Sequence, residues 1–180
     1  MQHEKIDYEI SELMKVSTVE AKNGNYVQAV GVAKKALNKI KESNLLYGHS
    51  SYTKIIPYYQ KAGLYSEVEK FCLNELVPDI RLAFQRGMSQ KCVEIQDVHF
   101  YQCVSKIYDK LRLSVKREKE ENDEARFIKE FNFYESKWRY LQPIAEKIEQ
   151  EKEYQEMLEV FGKDTSSWPE VVRRRFDSIL

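Results

Sequence analysis

The 180-residue chain predicts an all-α fold, and three observations carry that expectation. Apolar residues return at steps of three and four along nearly the whole chain, which lays them along one face of successive helices. No alternating β-branched run is long enough for a strand. With 6 Gly and 4 Pro against 32% charged and 42% hydrophobic residues, the composition is that of helices with solvated outer faces.

Taken in order, Ile6, Ile10, Leu13 and Ser17 define a first helix that runs to about Ala21 and ends in a turn at Asn23, Gly24 and Asn25. Tyr26, Ala29, Val30, Ala33, Leu37 and Ile40 give a second, and the short connection makes the two antiparallel. The small residues Ala29, Gly31, Ala33 and Ala36 allow a close approach between them. Tyr52, Ile55, Ile56, Tyr59 and Ala62 form the third stripe, Gly63 the next turn, and Val68, Phe71, Cys72 and Leu76 the fourth stripe. Pro78 predicts a break or a new helical start near Val77. Ile80, Ala83 and Phe84 continue in helical spacing, with an end near Gly87 and Ser89.

Beyond Ser89 the elements lengthen. Val93, Phe100, Val104, Ile107, Leu111 and Val115 hold one stripe, which runs into the charge-dense KREKEENDEAR. That segment is mixed in sign, as in an exposed helix or inter-helix turn laced by pairs such as Arg117 with Glu121 and Lys119 with Asp123. Phe127, Phe131, Tyr134, Trp138, Leu141, Ala145 and Ile148 then alternate steps of four and three, a seam that asks for a long partner. The helix starting near Lys91 is the first candidate, and a homodimer through the seam is the alternative. Pro143 predicts a kink or junction at Leu141 and Gln142, and Gly162 a stop. Ser167, Trp168, Pro169 and Glu170 read as a capping box opening a last helix with Trp168, Val172, Phe176 and Ile179 on its apolar side.

Bulk charge is silent about partners: 29 basic and 29 acidic side chains give zero net charge, so nucleic-acid binding is not favoured and any electrostatic role is local. The acid-bearing MQHEKIDYEISELMK resembles neither a secretory signal nor a transit peptide, and no run approaches the roughly 20 apolar residues of a membrane span. A cytoplasmic protein without a membrane partner is the expectation. Cys72, Cys92 and Cys103 lack paired spacing and read as reduced thiols.

NGNYVQAVGVAKKAL and KAGLYSEVE share a glycine, a tyrosine two places on, and an apolar residue three further. Setting Gly24 on Gly63, an offset of 63 − 24 = 39, also matches Ala29 with Val68, Ala33 with Cys72, Leu37 with Leu76, Leu13 with Tyr52 and Val16 with Ile55. A helix-turn-helix unit is written twice. Residues 10–43 resemble one hairpin of the tetratricopeptide repeat, on Gly24, Tyr26, Ala29 and Ala36, and residues 49–82 resemble a looser copy on Gly63 and Tyr65. Val68 and Glu75 stand where that family prefers alanine, and Ser17 and Glu20 where it has glycine and an aromatic. The offset exceeds the usual period of roughly 34 residues, so residues 43–48 enter as an insertion. The other reading is a generic helical bundle with two tight Gly-x-Tyr turns. The expected organisation is a single all-α domain: two hairpins in residues 1–88, a longer hairpin in 89–162 and a C-terminal capping helix in 163–180, stacked as a right-handed superhelix.

The resemblance implies a concave face, built from the first helix of each hairpin, that binds extended peptides. The residues it places there are Met14, Lys15, Thr18 and Lys22 from the first copy, and Ser50, Thr53, Lys54, Pro57 and Lys61 from the second. Met14 and Pro57 offer apolar contacts, and the four lysines favour an acidic segment without demanding bidentate geometry. The Asn of the family's carboxylate-binding members has no counterpart at the matching positions. A solvated lysine face is the plainer reading of the same residues.

Other chemistry finds less support. Cys92, His99 and Cys103 share one helix face, but the two cysteines stand roughly 16 Å apart, too far for one ion. No nucleophile elbow, phosphate loop or cofactor motif occurs, so the expectation is a non-catalytic binding protein without a cofactor. Two alternatives remain open. Arg173, Arg174 and Arg175 form the one single-sign run available for nucleic acid, although a terminal helix more often caps a stack. The aromatic hairpin around Phe133, Tyr134, Trp138 and Tyr140 could serve a toxin-neutralising or effector-type protein.

Overall fold

The computed structural model describes residues 2–43, 45–118 and 121–176, with the side chains of Gln2, His3, Glu121 and Asn122 left out. Every regular element among the described residues is helical. Helices α1 (Gln2–Lys22) and α2 (Tyr26–Glu42) pack antiparallel along their length. Ile10, Ser17, Ala29, Ala33 and Ala36 are sealed between helices, and Lys39 reaches back 2.6 Å to Glu9.

The turn after α1 is closed twice. The N–H of Gly24 donates to the Ala21 carbonyl at 3.3 Å and that of Asn25 to Glu20 at 2.9 Å. Thirty-nine residues later Gly63 donates to Gln60 at 3.0 Å and Leu64 to Tyr59 at 3.0 Å. Both are Schellman caps, and both glycines take positive φ, 83° and 72°, which is why glycine stands there. The matched apolar positions share the same fate: Ala29 and Val68, Ala33 and Cys72, and Leu37 and Leu76 are all buried. Val16 and Ile55 differ, exposed against buried, because α1 lies at the edge of the stack whereas the second unit's first helix is covered on two sides.

That helix is split into α3 (His49–Thr53) and α4 (Ile55–Lys61) at Lys54. Pro57 has no N–H to offer the carbonyl of Thr53, so the ladder is broken one turn upstream. The return helix begins as α5 (Tyr65–Phe71), widens into a π turn at Cys72–Leu76 and continues as α6 (Val77–Gly87). The new helical start expected near Val77 is where α6 begins, with Pro78 in its first turn. The wider turn, in which Val77 bonds back to Cys72, lets the chain carry Pro78 without ending.

Helix α7 (Val93–Glu118) lies across α3, α4 and α6 on one side and pairs with α8 (Glu121–Phe161) on the other. Cys103, Val104, Ile107, Leu111 and Val115 are at most 1% exposed, whereas Val93, assigned to the same stripe, is 64% exposed at the helix start. The seam of α8 closes on α7 within the chain. Phe127 and Ala145 are fully buried, and Tyr134 stacks on Tyr108 with centroids 5.5 Å apart.

Pro143 lies inside α8, so the expected junction at Leu141 and Gln142 is absent. Pro143 is exposed, and the packing of α8 on α7, with Phe127 and Ala145 fully buried, holds the helix on both sides of it. Gly162 (φ 84°) ends α8 as expected. The last helix, α9 (Glu170–Arg174), is short and has no side-chain cap. Asp164 instead accepts from the Ser166 N–H at 3.1 Å, and the Ser167 hydroxyl donates to the Asp164 carbonyl, so the capping box does not form. Trp168 and Phe176 fold onto Tyr154 at 5.6 and 5.5 Å. Ile179 and Lys119 lie outside the described residues, and Arg117 meets Gln60 at 2.9 Å.

Two polar contacts anchor α8, one to the start of α7 and one to α5. Glu149 accepts the Cys92 backbone N–H at 2.5 Å and the Lys91 ammonium at 2.9 Å, which clamps the start of α7 to α8. These donors, the backbone amide foremost, lower its pKa from 4.5 to about 2. At the other end Arg126 makes a bidentate pair with Glu69 at 2.6 and 2.9 Å.

Three outcomes follow from this packing. Gly24→Ala and Gly63→Ala meet no steric obstacle, so each should lower stability only by the positive-φ penalty, about 1 kcal/mol by urea titration. Because the pKa of Glu149 is depressed on folding, its contribution is complete above about pH 4.5 and is lost as pH falls towards 2. The wild type should lose about 2–3 kcal/mol over that window through this group, a slope that Glu149→Gln removes. Tyr52 is 2% exposed and its hydroxyl has no partner among the described residues, so Tyr52→Phe should keep or raise the thermal midpoint.

Candidate functional site

The split at Lys54 lies in a groove of ≈ 590 Å³. Its floor is α3 and the start of α4, with His49, Ser50, Ser51, Thr53, Lys54 and Pro57; Met14 of α1 forms one wall, and Lys106, Asp109 and Lys110 of α7 the other. Met14, Ser50, Thr53, Lys54 and Pro57 are thus brought together. Thr53 is only 4% exposed and belongs to the floor.

Lys15, Thr18, Lys22 and Lys61 do not line the groove. Lys15 pairs with Glu12 at 2.7 Å, which raises its pKa, and the Thr18 hydroxyl donates to the Met14 carbonyl at 2.7 Å. Lys61 sits 5.3 Å from the Tyr26 ring centroid, and Lys22 is exposed at the end of α1. The two lysine columns implied by the resemblance therefore part, leaving Lys54 alone of the four in the groove.

The α7 residues were not anticipated. Lys106 and Lys110 are four apart and Asp109 lies between them, so one turn of helix presents all three. Their signal in the sequence is the polar spacing beside the stripe of Val104, Ile107 and Leu111, which becomes informative only once α7 is known to lie against α3 and α4. Asp109 is engaged by Arg112 at 2.6 Å, and the Lys106 ammonium stands 3.6 Å from Glu135. Among the described residues, no carboxylate lies within ion-pair distance of Lys54 or Lys110. The groove therefore holds uncompensated positive charge beside the apolar surfaces of Met14 and Pro57.

Elsewhere the reactive groups are muted by burial. The thiols of Cys72 and Cys103 are pushed up to about 12 by desolvation, which keeps them protonated and un-nucleophilic. His99, half-buried and stacked on Phe84 at 5.9 Å, has its pKa lowered by the same cause. It lines a ≈ 100 Å³ cavity with Tyr47, His49 and Cys103. Among the described residues no three His, Cys, Asp or Glu side chains gather as a metal site, and no helix is long and apolar enough to cross a membrane.

No family model matches the chain, and neither a curated protein nor a solved structure matches it.

Proposed function

We propose that this protein is a non-catalytic, cytoplasmic adaptor of tetratricopeptide-like hairpins that binds an acidic segment of another protein in the groove between α1, α3, α4 and α7. The observation that carries the reading is convergence. Five residues named from the repeat pattern alone meet in one groove, and α7 adds lysines to it. An extended peptide fits because the floor is serine-rich and open while its margins carry Met14 and Pro57. Side-chain hydroxyls then meet backbone polar groups, and apolar side chains find the two anchors. Lys54 and Lys110 supply attraction that no internal acid has already satisfied, which is where charge complementarity accelerates encounter.

The test is fluorescence anisotropy with a labelled Asp/Glu-rich peptide. Wild type should bind, and Lys54→Glu/Lys110→Glu should weaken binding by about tenfold or more, close to 1.4 kcal/mol. Affinity should fall with added salt. Lys15→Glu, outside the groove and paired with Glu12, is the control that leaves affinity unchanged. Equal binding by wild type and the double variant, with circular dichroism unaltered, rejects the groove.

A further inference from the structure

Helix α8 carries a second apolar ridge that the fold leaves uncovered. Phe133, Tyr140 and Ile144 stand at i, i+7 and i+11, on one side of the helix, and are 48, 72 and 39% exposed. Lys137 lies on the same ridge, 4.5 Å from the Phe133 centroid and 5.1 Å from that of Tyr101 on α7. The lysine-lined groove lies towards the other flank of α8, where its Lys106 reaches Glu135. The ridge is therefore independent of the groove, and isolated surface apolar residues do not ordinarily align in this way.

The ridge is complementary to itself. If two copies of α8 run antiparallel, related by a two-fold axis passing between Trp138 and Arg139, Phe133 of each comes level with Ile144 of the other and Lys137 with Tyr140. Glu130 comes level with Lys147, whose intrahelical pair with Glu151 is an exposed one at 3.8 Å. Apolar meets apolar, an ammonium meets an aromatic face, and the acid of Glu130 meets the base of Lys147. Lys129, at the margin, has an exposed stem that keeps its charge in water. A parallel pairing instead sets Lys137 on Lys137 and Lys147 on Lys147, like charge against like.

We infer that α8 is a self-association surface through which two copies of this chain pair antiparallel along the Phe133, Tyr140 and Ile144 ridge. From residue 126 to 151 the ridge is about 37 Å long on a helix about 10 Å wide. That is at the small end of specific interfaces, so the dimer is reversible, with a dissociation constant on the order of micromolar.

Sedimentation velocity of the full chain from about 1 to about 500 µM reads the outcome. The wild type should pass from monomer to dimer, and Tyr140→Glu/Ile144→Glu, exposed positions whose change leaves circular dichroism intact, should raise the dissociation constant by at least about tenfold. Glu130→Lys alone should weaken the dimer, and adding Lys147→Glu should restore it, because the swap conserves the pairing in an antiparallel register. A monomer throughout the range, which hands the ridge to a different protein, overturns the inference. So does a dimer indifferent to Tyr140→Glu/Ile144→Glu, or a charge swap that fails to restore pairing.

Discussion

Burial of α7 on two sides is the constraint on which the rest of this structure depends. Its residues Cys103, Val104, Ile107, Leu111 and Val115 are at most 1% exposed because α3, α4 and α6 cover one side and α8 the other. Helices as short as α3 and α4 have no stability of their own in water, since each forms barely more than a nucleus. They persist because Tyr52, Ile55, Ile56 and Tyr59 are shut between α2 and α7. The long seam of α8 depends on the same helix; Glu149 ties one end of α8 to the start of α7, and Arg126 ties the other end to Glu69 of α5. One apolar cluster consequently runs from Ile10 in α1 to Phe127 in α8.

The groove is a by-product of that arrangement. A proline one turn into the second unit interrupts a helix at Lys54, and α7 crosses beside the interruption. Several lysines elsewhere are taken up by neighbours: Lys15 by Glu12, Lys39 by Glu9, Lys41 by Asp79, Lys91 by Glu149. On a chain of zero net charge, what distinguishes a patch is whether its charges are already matched. Lys54 and Lys110 are unmatched among the described residues and line one groove, and the proposed acidic ligand rests on that conjunction.

Much of the architecture was legible in the residues. The stripes through Ile10, Ala33, Ile56, Val68 and Ile107 are buried where spacing put them, and the offset between Gly24 and Gly63 proves to be a repeated cap with the same hydrogen bonds. The prolines differ in effect because a missing N–H interrupts a helix only when nothing else supports it. Pro78 is relieved by a π turn and Pro143 by packing on both sides, whereas Pro57, on a short element, does split its helix. About half of the candidate site was visible. The repeat pattern marked Lys54 and its neighbours on the floor, but Lys106 and Lys110 belong to a helix outside the repeat.

By itself, then, the sequence determined the helices, their buried faces and the twice-written hairpin, because periodicity and positive-φ glycine are local properties of a chain. Only the tertiary structure decided which lysines share a groove, that Glu149 meets the start of α7, and that the ridge of Phe133, Tyr140 and Ile144 stays exposed. Those facts turn on contacts between residues some 40 to 100 positions apart, and their register is set by how whole helices pack rather than by any neighbouring residues.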